Sequence, residues 1–591
     1  MNSEWILLLQ KTSNPTKPET TSAFKRLMGV VLFGIAIYLW LTSAAVYVFS
    51  IVAALGSTTA SPHVPMRWLD FFIIGITSLL FIITSSNWNR IPEMLRYFGK
   101  RLEDFVGRAL VVGHALCHAI IPDHLWYARK FIGWLASFFA LIFIVIAFRF
   151  SVALAPEIPR SIDTGIALSH FTSPQMFLFT LVLLVATTFS ILLFRFGFSR
   201  KWRMIFAKPK CDEIKKFSAF DHDNYSKFRV VHASDLHVTA SQEAGLIETG
   251  QPISDDVVRK VLTSIERDAS DCDAVLMTGD ITDDGSAAAW ERFLTLCPPS
   301  LHGNLILIPG NHDLNLQQGA KADTRPFRRK LNWLLSVPRL KAERFSNFGR
   351  GLRQIRAMCV MTELMGDRAL LVDRRTNRVV TLADYSRSHL ASINAHISST
   401  PGPQTPMSEI WSGMFPLVVK SGTHGVGMIL LDSVKPASVN ATNAIGAAPS
   451  DAISRCETLM AATADTFKCF AVAVHHHLAV PQSSSLATRF KAAFLVFENA
   501  IELVEMLVKR GEPSVVLHGH RHQEYLGIVQ DSNVAVVASA SATVGHHGVA
   551  AGGSWRIVEL AVSKGACRLL TLPVRRNLAC KGDALGRLSI E

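Results

Sequence analysis

A chain of 591 residues is too long for one ordinary domain, and its 49% hydrophobic fraction is unevenly spread. Nine cysteines with no closely spaced C-x-x-C pair exclude a disulfide framework or a cysteine-rich zinc site, and they fit a reducing compartment. The net charge of +13 is unevenly placed along the chain.

Residues 1–26 read as a polar N-terminal tail. Four apolar runs then follow, Leu27 to Leu55, Leu69 to Ser85, Phe131 to Phe148 and Met176 to Phe194. A helix needs roughly 20 apolar residues to cross about 30 Å of hydrocarbon, so each run is a candidate span. Asp70 weakens the second, although Trp68 and Trp88 bracket it as interfacial rings do. The first run is too long for a cleaved signal peptide. Lys11, Lys17, Lys25 and Arg26 precede it, Arg90 to Lys130 fills the middle loop with basic residues, and Arg195, Arg200, Lys201 and Arg203 follow the last. Positive charge stays cytoplasmic. The expectation is a multi-pass membrane protein in contact with the lipid bilayer, an all-α transmembrane domain at 27–198, with both termini and the large C-terminal part in the cytoplasm.

Residues 199–227 have the composition of a linker. From 228 to 575 the texture changes to short β-branched runs, "FRVVHAS", "AVLMTGD", "LILIPGN", "GVGMILLDS", "CFAVAVHHH" and "SVVLHGH". Runs of this length bounded by Gly and polar residues predict strands buried on both faces. "DDVVRKVLTSIERDA" and "AAFLVFENAIELVEMLVKRG" predict helices between them. The alternation implies an α/β fold, a layered sheet structure flanked by helices. Residues 576–591 read as a tail.

Five of the six runs end in metal-type ligands: Asp235 and His237, then Asp280, then Asn311-His312-Asp313, then His475-His476-His477, then His520 and His522. Strand C-termini are where α/β folds gather ligand-binding groups. Asp235 and His237, two apart on an extended segment, would point to one side and share one ion. Carboxylate and amide oxygens with imidazoles, and no thiolate, suit manganese, iron or zinc. The set exceeds what one four-coordinate ion needs and so implies two divalent ions. His232 and His518, inside strand runs with no partner at ligand spacing, read as core residues, and Asp283 and Asp284 as solvated turn residues.

D-x-H, G-D, G-N-H-D, H-H and G-H-x-H, in that order, resemble the calcineurin-like metallophosphoesterases over about residues 228–560. The resemblance implies a β-sandwich flanked by helices and a two-metal site. Asp235, His237 and His522 would hold one ion and Asn311, His520 and one of His475 or His476 the other, with Asp280 bridging. Leu478 stands where the family often has proline, which leaves His475 and His476 both open, with His476 favoured by that register. His312 would be the general acid or a donor to a phosphate oxygen, Asp313 would orient its ring, and a hydroxide held by the ions would be the nucleophile. Arg521 would reach toward substrate phosphate.

From Asn311 to His476 the chain runs 165 residues, which predicts an insertion at about 315–420. Residues 321–378 hold fifteen Lys or Arg against five Asp or Glu. "RPFRRKLNWLLSVPRLKAERF" has the character of an amphipathic helix suited to anionic lipid, or of a lid that attracts a polyanion. The reading is a membrane-anchored metal-dependent phosphohydrolase acting on a phosphate ester: a cyclic nucleotide, a lipid phosphate or a pyrophosphate. Nucleic acid is disfavoured, since no recognition module is present. The rival is a non-catalytic membrane scaffold that uses a metal-binding domain of the same shape.

Overall fold

The computed structural model describes residues 3–13, 209, 211–214, 225–246, 251–315, 346–398, 406–422, 425–436, 443–478, 495, 497–544 and 553–578. The four apolar runs and the most basic part of the insertion lie outside the described residues. Among the described residues no helix is long and apolar enough to cross a membrane.

Two sheets carry the fold. The smaller contains β2 (Ser226–Ala233), β3 (Ala274–Thr278), β4 (Leu305–Ile308), β13 (Ser554–Ser563), β14 (Ala566–Leu569) and β15 (Val574–Asn577), in the order β14-β13-β2-β3-β4 with β15 also on β13. The larger has nine strands: β1 (Cys211–Glu213), β5 (Ala369–Asp373), β6 (Arg378–Thr381), β7 (Leu417–Ser421), β8 (Val426–Leu430), β9 (Cys469–Ala473), β10 (Ser514–His518), β11 (Tyr525–Val529) and β12 (Val534–Ala538). Their order is β1-β11-β12-β10-β9-β8-β7-β5-β6. All six expected strands are present. The centres of both sheets are parallel, β2-β3-β4 in one and β8-β9-β10-β12 in the other.

Side-chain alternation explains how the larger sheet is buried twice. Val515, Leu517, Ala471, Ala473, Met428 and Leu430 join the core shared with the smaller sheet. Their neighbours Val516, Val472, Val474 and Ile429 face the other way, under helices Ser450–Ala462 and Ala500–Lys509. Helix Asp255–Ala269, as expected from its sequence, lays Val258, Val261, Leu262 and Ile265 against the smaller sheet, and Ser254 caps its N-terminus.

Three segments differ from expectation. Cys211–Glu213, expected in a linker, is an edge strand paired with β11. Residues 346–421, expected as an insertion beside the site, extend the larger sheet through β5, β6 and β7 and add helix Ser346–Met365 to the core. Several of its basic residues are not a solvated face. Arg353 and Arg356 are buried, and Arg353, Arg356 and Arg368 donate to backbone carbonyls. Finally, Glu4–Lys11, expected as tail, is a helix whose Trp5, Ile6, Leu8 and Leu9 belong to the main core.

Candidate metal centre and active site

The loops after β2, β3, β4, β9 and β10 meet at the C-terminal ends of their parallel strands. Backbone bonds set their register: Asp235 N–H donates to Gly279 O (3.0 Å), His237 N–H to Asp280 O (2.9 Å) and Gly519 N–H to His475 O (3.1 Å). Side chains close the gap between the sheets, because His520 N–H donates to Asp235 Oδ2 (3.0 Å). Within the smaller sheet, His312 N–H donates to Asp280 Oδ1 (2.8 Å). The crowding dictates glycine. A Cβ at Gly279, already at φ +96°, would overlap the His475 ring and the Gly310 Cα. One at Gly310 would overlap the Asp280 carboxylate.

The backbone at the site is not extended. Asp235 (φ 54°), His237 (50°), Asp280 (50°), His520 (75°) and His522 (53°) all sit in the left-handed region. Among the described residues only two other non-glycine residues do so, Asn377 and Asp531. The expected extended geometry of D-x-H therefore does not hold. Left-handed turns, rather than strand alternation, aim both side chains inward. Such conformations cost about 1–3 kcal/mol each and persist where surrounding contacts over-determine them.

Four groups of three side chains have donor atoms within 4.8 Å of one another: Asp235-His237-His522, Asp235-Asp280-His475, His237-Asp280-His312 and His475-His476-His520. Asp280 belongs to two groups, between the Asp235 side and the His475 side. Three imidazoles are held from behind so that the other nitrogen faces the cluster. His475 Nδ1–H donates to Thr278 O (2.7 Å), turning Nε2 toward Asn311 Oδ1 (2.9 Å), His520 Nδ1 (3.1 Å) and Asp280 Oδ2 (3.3 Å). His520 Nε2–H donates to Ala444 O (3.0 Å). His237 Nδ1–H donates to Asp283 Oδ1 (3.2 Å), which leaves Nε2 3.1 Å from His522 Nε2. Backing of this kind fixes the tautomer of metal-ligating histidines.

His476, the residue favoured by the Leu478 register, shares a donor group with His475 and His520. Its Nδ1 lies 2.8 Å from Ser433 Oγ, and the nitrogen that meets Asn311 and Asp280 belongs to His475. The β9 strand brings its first histidine, not its second, to the junction with Asn311.

Asp283 is the residue that sequence reasoning missed. It was read as a solvated turn residue, yet it is only 3% exposed. Its Oδ1 takes His237 Nδ1–H and lies 3.3 Å from His312 Nδ1, while its carbonyl lies 3.0 Å from the same nitrogen. The available signal was its spacing, three residues after Asp280 in a turn that must pass both rings. Asp313, expected to orient His312, does something else. Its carboxylate accepts from Gly310 N–H (2.8 Å), Thr282 N–H (2.7 Å), Thr282 Oγ1–H (2.7 Å) and Ile281 N–H (3.2 Å), knotting the β3 and β4 loops together. His232 and His518 are buried core residues, as expected, with His232 Nε2 3.0 Å from Thr278 Oγ1.

Electrostatics shows a cluster that favours charge despite its burial. Burial alone would raise the Asp280 carboxyl, but His475, His312 and His237 hold it well below the usual range. Burial would likewise raise Asp235, and His522 outweighs it. Burial would lower His475, yet Asp280 and Asp235 bring it up to about 9. Asp313, buried and beside the Asp280 charge, rises to about 6. The donor set fits a cation pair. Asp235 Oδ1 and His476 Nε2 are buried without hydrogen-bond partners, and oxygen and imidazole donors converge without a thiolate. His522, with its side chain 24% exposed, marks the solvent side.

Residues 228–391 match the family model of the calcineurin-like phosphoesterases, a stretch that holds D-x-H, G-D and G-N-H-D. His475, His520 and His522 lie beyond it and reach the same cluster through the fold. Residues 228–391 thus carry a calcineurin-like phosphoesterase domain. No protein of curated function matches it in sequence. Among solved structures it is similar to a 5'-nucleotidase from Staphylococcus aureus, at 12% identity over 58% of this chain and 54% of that one, with TM-score 0.27. A purple acid phosphatase from yellow lupin seeds shares 12% identity over 57% of this chain and 50% of that one, with TM-score 0.28. A dimetal phosphatase from Danio rerio shares 11% identity over 58% of this chain and 98% of that one, with TM-score 0.31. The chain spans about half the length of the first two.

Proposed function

We propose that this protein is a membrane-anchored, two-metal phosphoesterase whose catalytic domain lies in the cytoplasm. The observation that carries the phosphoesterase reading is the cluster of Asp235, Asp280, Asn311, His475 and His520 on five strand ends, with His475 and His520 each fixed from behind by a backbone carbonyl. Asp235, His237 and His522 would hold one divalent ion, manganese, iron or zinc. Asn311, His520 and one of His475 or His476 would hold the second, and Asp280 would serve both. When bound, the ions supply positive charge to a phosphate and acidify water. The chain's own groups do the rest. Asp283 orients His312 through Nδ1, so proton donation to the leaving oxygen falls to the opposite ring nitrogen. Arg521, half-buried between His520 and His522, would meet a phosphate oxygen.

The anchor rests on the four apolar runs and on the placement of basic residues around them. An anchor beside a basic segment at 321–345 favours a lipid phosphate or pyrophosphate substrate over a free cyclic nucleotide. The test is phosphate release by the full-length protein in detergent with manganese, across lipid phosphates, pyrophosphates and cyclic nucleotides. Asp280→Ala should abolish turnover of whichever substrate is found. If the wild-type protein with manganese, iron or zinc hydrolyses none of these nor an aryl phosphodiester, the scaffold reading replaces this one.

A further inference from the structure

The helix at residues 4–11 stands about two hundred residues before the rest of the phosphoesterase domain, yet it is built into it. Ser3 caps it by accepting from Ile6 N–H, and Ser3 Oγ also bonds Glu363 on the helix Ser346–Met365. A helix of eight residues has little stability of its own, so packing must hold it. That packing is present: Trp5, Ile6, Leu8 and Leu9 are buried against the same long helix, while Leu7 faces solvent.

Where the helix ends, one guanidinium connects it to the active site. Arg356, only 2% exposed, donates from Nε to Thr12 Oγ1 (3.0 Å), from Nη2 to Thr12 O (2.8 Å) and from Nη1 to Gly285 O (3.3 Å). One turn earlier, Arg353 Nε–H donates to Asp284 O (3.0 Å). Both arginines therefore grip the turn Asp283-Asp284-Gly285, whose first residue orients His237 and His312. Thr12 supplies two acceptors to Arg356, its hydroxyl and its carbonyl. Losing the hydroxyl loosens the hold on a buried guanidinium, and a buried charge that loses a hydrogen bond shifts to recover one.

We propose that residues 3–12 form a strap, and that Thr12 and Arg356 are positioning residues that set Asp283 and, through it, the His312 ring. The N-terminal segment is then a working part of the phosphoesterase domain, tied to the long helix by Trp5 and Leu9 and to the catalytic turn by Thr12. This inference rests on the phosphoesterase reading and on His312 as proton donor.

The experiment uses the full-length protein at saturating manganese, with two phosphate esters that share one recognition group. One has a 4-nitrophenolate leaving group, which departs without protonation, and the other an alkoxide, which needs it. Thr12→Val keeps the shape of the side chain and removes the hydroxyl. It should lower kcat on the alkyl ester about tenfold, a part of the roughly 10²–10⁴ that positioned proton transfer supplies, and leave the nitrophenyl ester within about twofold. Thr12→Ser should restore the alkyl-ester rate. Trp5→Ala, which undocks the helix, should show the same selectivity. Equal loss on both esters would mean a merely structural role and overturn the proposal, as would unchanged rates on both. Failure of the wild-type protein on both esters would instead refute the phosphoesterase reading itself.

Discussion

Replacing Asp283 with Asn isolates what a single buried charge contributes. The side chain keeps its shape and one acceptor oxygen, but it loses the negative charge facing two imidazole N–H groups, His237 Nδ1 at 3.2 Å and His312 Nδ1 at 3.3 Å. Burial alone would raise this carboxyl, yet its bonds to His237 and His312 hold it well below the usual range. That direction favours the charged carboxylate, which the substitution removes. A carboxylate behind a metal-ligating histidine is typically worth 10–100-fold in metal affinity or activity. At about 1.4 kcal/mol per decade that is roughly 1.4–2.7 kcal/mol, the size expected for charge-assisted hydrogen bonds to two rings. Two separate readouts should each move. Manganese affinity by calorimetry should fall through His237, and kcat on an alkyl phosphate ester at saturating manganese should fall through His312. A variant that melts like the wild type and stays within twofold of it in both would refute the claim that Asp283 orients either ring.

The two middle histidines separate by substitution. His476→Ala should lose about one bound metal equivalent by elemental analysis and most of the activity, because its Nε2 is buried in the donor group without a hydrogen-bond partner. A variant that keeps both ions would leave His475 as the ligand from this strand. The core beneath the site should behave as a close-packed interior: Phe293→Ala, at a fully buried position beside Trp290, should cost about 3–5 kcal/mol in a denaturant titration. A loss under about 1 kcal/mol would mean that helix Ala287–Leu296, which carries Phe293, is not part of the cooperative unit.

What the sequence made legible follows from how each signal is encoded. The parallel strands are buried on both faces, so "AVLMT", "CFAVA" and "SVVLH" announce themselves as continuous apolar runs. Their ligands follow directly because chemistry gathers at strand C-termini. Edge strands carry no such mark. Cys211–Glu213 and Val574–Asn577 are polar and exposed, and pairing with β11 and β13 makes them strands, not composition. Glu4–Lys11 was illegible for a related reason, since eight residues hold too little periodicity to separate a docked helix from a tail.

Within the site, residue type was readable and role was not, and the left-handed backbone is the cause. On an extended strand, alternation would tell which neighbour faces the ions, and it would send Asp235 and His237 the same way by a simple rule. At φ near 50° that rule lapses, and direction is set by what the loops touch. Hence Asp313, adjacent to His312, turns back to bind Gly310 and Thr282, while Asp283, twenty-nine residues away, reaches both rings. The same reasoning separates His475 from His476: the Thr278 carbonyl on a neighbouring strand, invisible in the local sequence, selects the ring that faces Asn311. Strain at Asp235, His237, Asp280, His520 and His522, which follow three strands, is thus the cost of aiming their donors at one point, and two cations shared among those donors are what would offset it.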